Sequence, residues 1–222
     1  MLHLCVFDTH ALRYTELREL LPPEEQARLD HKKSEDYRVS SAVGRLLAAR
    51  LYREVYGKNA PPIVCSAEGA PSFLGEAVAL SISHSENLVA VVLSDTHTHV
   101  GIDVECVDAA ARLEKEREDK LRERLHIPTV EAANPLPPYS PATFRDGAIV
   151  FSPITQDASC ITRDYAFLRD YTALEALMKA DGRGFAALCD IEDIYPFYHL
   201  SIGMLRDQQN KAFILTIASK RK

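Results

Sequence analysis

The sequence predicts an α+β fold: two similar lobes related by pseudo-twofold symmetry, each a small antiparallel sheet packed with a long helix. The order of elements carries this reading. A helical stretch, GRLLAARLYREVYG, leads through irregular chain to the strands ALSISHS and LVAVVLS. A second, YTALEALMKADGRG, leads to YHLSIGML and AFILTIAS. Each half runs helix, loop, then a strand pair containing Leu-Ser-Ile, the pattern an old internal duplication leaves. The 222 residues, 46% hydrophobic, suffice for one large domain or two small ones. The expected division is residues 1–99 and 100–222, with an irregular insertion at about 127–164. A cleft between two such lobes is a natural ligand site.

Taken in order, LHLCVF reads as a first strand. The stretch from ELREL to VYG reads as helical, broken early by Pro22 and Pro23 and stopped at Gly57. Leu46, Leu47, Leu51 and Val55 recur near the helical period. Gly69-Ala70-Pro71 reads as a turn in an irregular segment. AVALSIS and NLVAVVLS are strands, SDTHTH a loop, and VGIDVE a further strand. Residues 108–125 alternate acids and bases, as a solvated helix does. Residues 127–164 are rich in Pro, Ser, Thr and Ala and are expected to be irregular, with AIVFS as the candidate for one short strand. YAFLRDYTALEALMKA is a helix ended by GRG, and a hairpin across RDQQN closes the chain.

Bulk properties exclude several classes. A net charge of −6 leaves no basic footprint for nucleic acid. Five scattered cysteines without a CxxC argue against a disulfide framework or a structural zinc site. No apolar run approaches membrane-spanning length, and the first residues lack a signal-peptide pattern. A cytoplasmic protein without membrane or nucleic-acid partners is expected.

VGIDVE raises the chemical question. Side chains alternate along a strand, so Asp103 and Glu105 share one face. Two acids on a half-buried face repel unless something neutralises them. Either this is a wet edge strand or the pair holds a divalent cation. Magnesium favours oxygen ligands and often shares its shell with phosphates. Glu175 is a candidate third carboxylate, with Lys179 one turn on; the two also suit a plain i,i+4 ion pair. His84, at the end of the SISHS strand, is a candidate phosphate donor or simply an exposed strand-end residue. Lys32, Lys33, Arg38 and Arg45 form an anion patch or an ordinary charged helix surface. His97 and His99 lack a third metal ligand, and no GxSxG elbow supports a Ser-His-Asp triad at Ser83 or Ser85.

In combination these segments resemble the 4'-phosphopantetheinyl transferase superfamily, over about residue 20 to the C-terminus. The family's turn, strand-end, acidic-strand and helix motifs correspond here to GAP (Gly69–Pro71), LSISHS (Leu80–Ser85), VGIDVE (Val100–Glu105) and YTALEALMK (Tyr171–Lys179). The length and the two-lobe repeat resemble the larger, single-chain Sfp type, which implies a monomer. The resemblance implies transfer of phosphopantetheine from coenzyme A to a serine of an acyl or peptidyl carrier protein, with adenosine 3',5'-bisphosphate as the second product. It implies Mg²⁺, or alternatively Mn²⁺, on Asp103, Glu105 and Glu175. Glu175 would take the serine proton, with Asp103 and Lys179 completing the catalytic set. Ser83, His84 and Lys179 would bind the phosphates, and Arg45, Arg38 and Lys33 the adenosine 3'-phosphate. Residues 1–99 would be the coenzyme A side.

The chain departs from the family pattern where lysines become Ala70 and Leu174, and where a tryptophan becomes Tyr171. A charge-assisted contact contributes about 1.5–3 kcal/mol, so two missing cations cost on the order of a hundredfold in affinity unless replaced. Arg163 and Arg169 are candidate replacements. A silent relative that binds coenzyme A or a carrier protein, and an unrelated Mg²⁺-dependent phosphate-ester enzyme, are the competing readings.

Overall fold

A computed structural model describes residues 1–110, 115–125, 127, 129–130, 133–152 and 165–221. The elements run β1 (Leu2–Asp8), α1 (Tyr14–Leu17), α2 (Pro23–Asp30), α3 (Glu35–Tyr56), β2 (Ile63–Cys65), β3 (Pro71–Phe73), β4 (Ala79–Ser85), β5 (Leu88–Ser94), β6 (His97–Cys106), α4 (Val107–Ala110) and α5 (Lys115–Leu125). They continue with β7 (Tyr139–Arg145), β8 (Ala148–Phe151), α6 (Ala166–Asp181), α7 (Ile191–Ile194), β9 (His199–Arg206) and β10 (Ala212–Arg221). The fold is mixed α/β.

Local chemistry explains the two long helices. Ser34 caps α3 by accepting a hydrogen bond from the Tyr37 N–H at 3.2 Å. Glu35 and Asp36 add negative charge to its first turn. Gly57 ends it in the left-handed conformation, φ 67°, where a side chain would be strained. Gly182 does the same for α6. Pro23 opens α2 at its first turn, where its missing N–H is not needed.

The strands form a five-stranded sheet in the order β4-β5-β1-β7-β8, a three-stranded sheet β6-β10-β9, and the small β2-β3 pair. Cys5, Phe7, Val89 and Val91 pack on Val43, Leu47 and Leu51 of α3. The opposite face, Leu4, Val6, Ala90 and Val92, packs on Ile102, Val104, Leu215 and Ile217 of the second sheet. Ala218, on that sheet's far face, meets Ala173, Ala176 and Leu177 of α6. The layers are therefore α3, sheet, sheet, α6. Each fully buried Val or Leu in these layers contributes about 1.5–3 kcal/mol of transfer free energy.

Besides the β2-β3 pair, which forms within the segment around Gly69-Ala70-Pro71 read as irregular, the structure departs from the expectations in three places. The strand expected at AIVFS forms as β8, but the 127–164 segment also holds β7, and the two make a hairpin across Asp146-Gly147, both at positive φ. Asp-Gly is the turn pair such hairpins require. Second, β7 runs parallel to β1, pairing Tyr139–Ala142 with Leu4–Phe7, so the first sheet is mixed rather than antiparallel. Third, the SDTHTH loop is shorter than expected, because β6 already begins at His97. The charged stretch 108–125 is helical where described, with residues 111–114 outside the described set. No helix among the described residues is long and apolar enough to cross a membrane.

Candidate functional site

The site begins with a glycine. A Cβ at Gly101 would lie 2.0 Å from the Ala176 carbonyl oxygen and 2.5 Å from the Ala180 nitrogen. Its absence lets the α6 backbone rest on β6. This close approach brings Glu175 and Lys179, on α6, over Asp103 and Glu105, on β6. Leu174, beside Glu175, is 1% exposed and belongs to the core that seats the helix.

The second determinant is a ladder of serines. Strand β4 is an edge of one sheet and β6 an edge of the other, and side chains join them. Ser81 Oγ accepts from the Ile102 N–H at 3.1 Å, and Ser85 Oγ from the Cys106 N–H at 3.1 Å. Ser83 Oγ donates to Asp103 Oδ1 at 3.0 Å, and Ser85 Oγ donates to Glu105 Oε2 at 3.0 Å. Hydroxyls thus satisfy an edge that would otherwise carry unpaired backbone groups, and they aim the carboxylates.

Lys179 closes the cluster. Its Nζ donates to Asp103 Oδ1 at 2.6 Å and to Ser83 Oγ at 3.0 Å. Tyr171 donates its hydroxyl to Glu175 Oε1 at 3.1 Å. Asp103 is 4% exposed, and its second oxygen, Oδ2, has no hydrogen-bond partner.

The electrostatics follow from burial. Desolvation raises the Asp103 carboxyl above its usual range, opposed by the Lys179 charge and the hydrogen bonds from Lys179 and Ser83. Glu105 is pushed up to about 7, first by burial and then by the Asp103 charge. Burial and Asp103 also raise Glu175, while Lys179 and the Tyr171 hydroxyl pull it down. Like charges crowded in a low-dielectric pocket remain partly protonated unless a cation joins them. One ammonium does not cancel three carboxylates.

The other expected residues are distributed unevenly. His84 stands exposed at the rim, with its ring edge-on to Tyr37 at 6.1 Å. Desolvation by its surroundings and the Lys179 charge hold it below the ordinary histidine range. Lys33 is exposed near the start of α3. Arg38 pairs with Glu35 and lies over the Tyr14 ring at 5.2 Å. Arg45 Nη2 reaches Cys65 Sγ at 3.1 Å, with Glu25 at 3.8 Å. Arg38 and Arg45 therefore have partners of their own and are not drawn onto the carboxylates. Arg169 is bound to the buried Asp170 at 2.8 Å, together with Arg122 at 3.0 Å, so it is committed to the core. Arg163 lies outside the described residues. His97 Nδ1 meets Ser94 Oγ at 2.8 Å, while His99 Nδ1 meets the Ala180 carbonyl at 3.1 Å, so the two imidazoles are engaged separately.

Three contributors were not anticipated: Ser81, Ser85 as the aligner of Glu105, and Tyr171 as the donor to Glu175. The serines carried a signal. Positions 81, 83 and 85 share one face of a strand, and a hydroxyl at every second residue of an apolar strand implies partners on a neighbouring element.

Oxygen-only donors and the orphaned Asp103 Oδ2 suit a hard divalent cation. Among the described residues, however, no three His, Cys, Asp or Glu side chains are already drawn together as a metal site. Lys179 holds the Asp103 oxygen instead. No protein-family model matches the chain. No curated protein matches it either.

Proposed function

We propose that this chain is a 4'-phosphopantetheinyl transferase of the Sfp type, acting on an acyl or peptidyl carrier protein with coenzyme A as donor. The observation that carries the reading is the cluster itself: Asp103, Glu105 and Glu175 crowd together with a single ammonium from Lys179 among them. The two sheet-and-helix layers are taken as the duplicated lobes in a cytoplasmic monomer, although the expected division at residues 99/100 does not separate them, since β7 and β8 join the first sheet and β6 of the second begins at His97.

The carrier serine oxygen attacks the pantetheine-side phosphorus of the pyrophosphate. The P–O bond to the adenosine half breaks, and adenosine 3',5'-bisphosphate leaves. Glu175, unprotonated, takes the serine proton. The Tyr171 hydroxyl orients Glu175, and Ser85 orients Glu105. Lys179 and His84 face the phosphates, with Ser83 beside them. Arg45 and Arg38, after leaving their present partners, take the adenosine 3'-phosphate together with Lys33. Mg²⁺ or Mn²⁺ on Asp103, Glu105 and Glu175 would supply charge neutralisation of the pyrophosphate.

A second reading has specific support. The position of one family lysine is the core residue Leu174, 1% exposed, and the other is Ala70, so neither offers a cation. A silent relative that binds coenzyme A or a carrier protein fits those losses. Intact-mass spectrometry separates the two readings. Apo carrier protein is incubated with coenzyme A, MgCl₂ and either the wild type or Asp103→Ala. A phosphopantetheine-sized gain in mass with the wild type alone supports transfer. Coenzyme A binding without any gain on fatty-acid, polyketide and peptide carriers supports the silent relative.

A further inference from the structure

We propose that a cavity between helix α3 and the β7–β8 hairpin binds a phosphate monoester with a compact apolar body. The cavity has a volume of about 410 Å³, within the range of small-molecule sites. Leu46, Ala49, Arg50 and Arg53 line it from α3, at the spacing that puts side chains on one helix face. Gly147, Ala148 and Ile149 line it from the hairpin. It lies away from the carboxylate cluster. Ser83 and Ser85 belong to β4, at one edge of the five-stranded sheet, and β8 is the other edge. Four strand spacings separate those edges, about 19 Å.

Charge selects the occupant. The lining carries two guanidiniums and no carboxylate. Guanidinium stays protonated throughout the physiological range. The nearest acid on the helix, Glu54, pairs with Arg50 Nη2 at 3.2 Å, but its side chain is 57% exposed, so the pair is weak. At the hairpin turn, Arg145 and Asp146 offset each other. A positive charge is left in excess.

Neither cation is spent in the fold. Arg50 Nε is buried without a hydrogen-bond partner. Arg53 makes no ion pair or side-chain hydrogen bond among the described residues. A cation in the last turn suits the helix dipole, which accounts for Arg53 but not for Arg50, one turn earlier. The Phe151 ring, 5.6 Å from Arg50 Cζ, steadies that guanidinium. When Glu54 gives way, the Nε–Nη2 edge offers two parallel N–H donors, the fork that fits a phosphate. The buried Nε–H then gains the partner it lacks. Arg53 and the Asn59 amide serve the remaining phosphate oxygens, and Leu20, Leu46 and Ile149 give the body an apolar wall.

The test is an NMR titration of ¹⁵N-labelled protein with phenyl phosphate and, separately, with benzoate and with inorganic phosphate. Saturable shifts are expected at the Arg50 Nε–H and at the amides of residues 147–149, with phenyl phosphate about fivefold tighter than either control. Arg53→Gln, at an exposed position, should weaken phenyl phosphate about fivefold. Glu54→Gln removes the competing carboxylate and should tighten it about twofold. Shifts confined to residues 33–45 and 84 would put the anion on the coenzyme A side alone and overturn the proposal. Benzoate or inorganic phosphate of equal affinity, or affinity unchanged in either variant, would overturn it too.

Discussion

Lys179 Nζ lies 2.6 Å from Asp103 Oδ1, joining helix α6 to strand β6 at a point where Asp103 is almost fully buried. The ammonium is the one side-chain cation hydrogen-bonded to Asp103 in the described structure. Lys179→Met should therefore leave a buried carboxylate uncompensated. The side chain of Lys179 is 33% exposed, so the loss is less than for a fully buried pair, about 2 kcal/mol. Urea denaturation at neutral pH measures it. A change below about 0.5 kcal/mol would mean that the pair does not hold the two elements together.

Gly101 makes the same junction possible. A methyl there meets helix backbone, which cannot rotate away as a side chain can. Gly101→Ala should destabilise the fold by about 3 kcal/mol or more. Gly44→Ala is the comparison, since the close contact of its Cβ would be with a side chain, the Ile82 Cγ2 methyl at 2.8 Å, and not with backbone. Thermal melting of both variants should show the larger fall at Gly101; the reverse order would contradict the backbone contact.

Glu105 sets a pH dependence. Its folded-state pKa, about 7, lies above the ordinary glutamate value of 4.5. The folded protein then holds a proton that the unfolded chain releases. Below 4.5 both states are protonated and the folded state bears no penalty; between 4.5 and 7 stability falls as pH rises. In metal-free protein, Glu105→Gln should flatten that slope and gain about 2 kcal/mol on the wild type at pH 8. Denaturation midpoints at pH 5 and pH 8 check this. An unchanged slope would place the titration on another group.

Tyr171→Phe removes the hydroxyl that donates to Glu175 while keeping the ring. A lost hydrogen bond to a charged acceptor costs about 1.5 kcal/mol or less at a half-buried position. Because that donor pulls the Glu175 pKa down, the variant should also raise it. Any transfer activity should then rise with pH along a curve displaced to higher pH. Superimposable pH profiles would show that Tyr171 does not act on Glu175.

Much of this arrangement could be read from the chain. The alternation in VGIDVE gave Asp103 and Glu105 one face, and the helical period gave Glu175 and Lys179 one side. What a linear pattern withholds is the partner. That Lys179 would bind Asp103 rather than pair with Glu175 depends on how closely α6 sits on β6, and thus on Gly101. That Arg38 and Arg45 would face Tyr14, Glu25 and Cys65 depends on where α1, α2 and β2 pack against α3. The parallel entry of β7 beside β1 is a long-range pairing with no local signature. Its hairpin turn, Asp146-Gly147, did have one, obscured by the surrounding prolines.

The most direct test of the carboxylate cluster as a cation site needs no carrier protein. Free Mn²⁺ can be followed by electron paramagnetic resonance in the presence of the protein and coenzyme A, over a coenzyme A blank. One equivalent of Mn²⁺ should bind per chain and be lost in Asp103→Asn. Mn²⁺ that stays free with the wild type, or binds equally to the variant, would contradict the account.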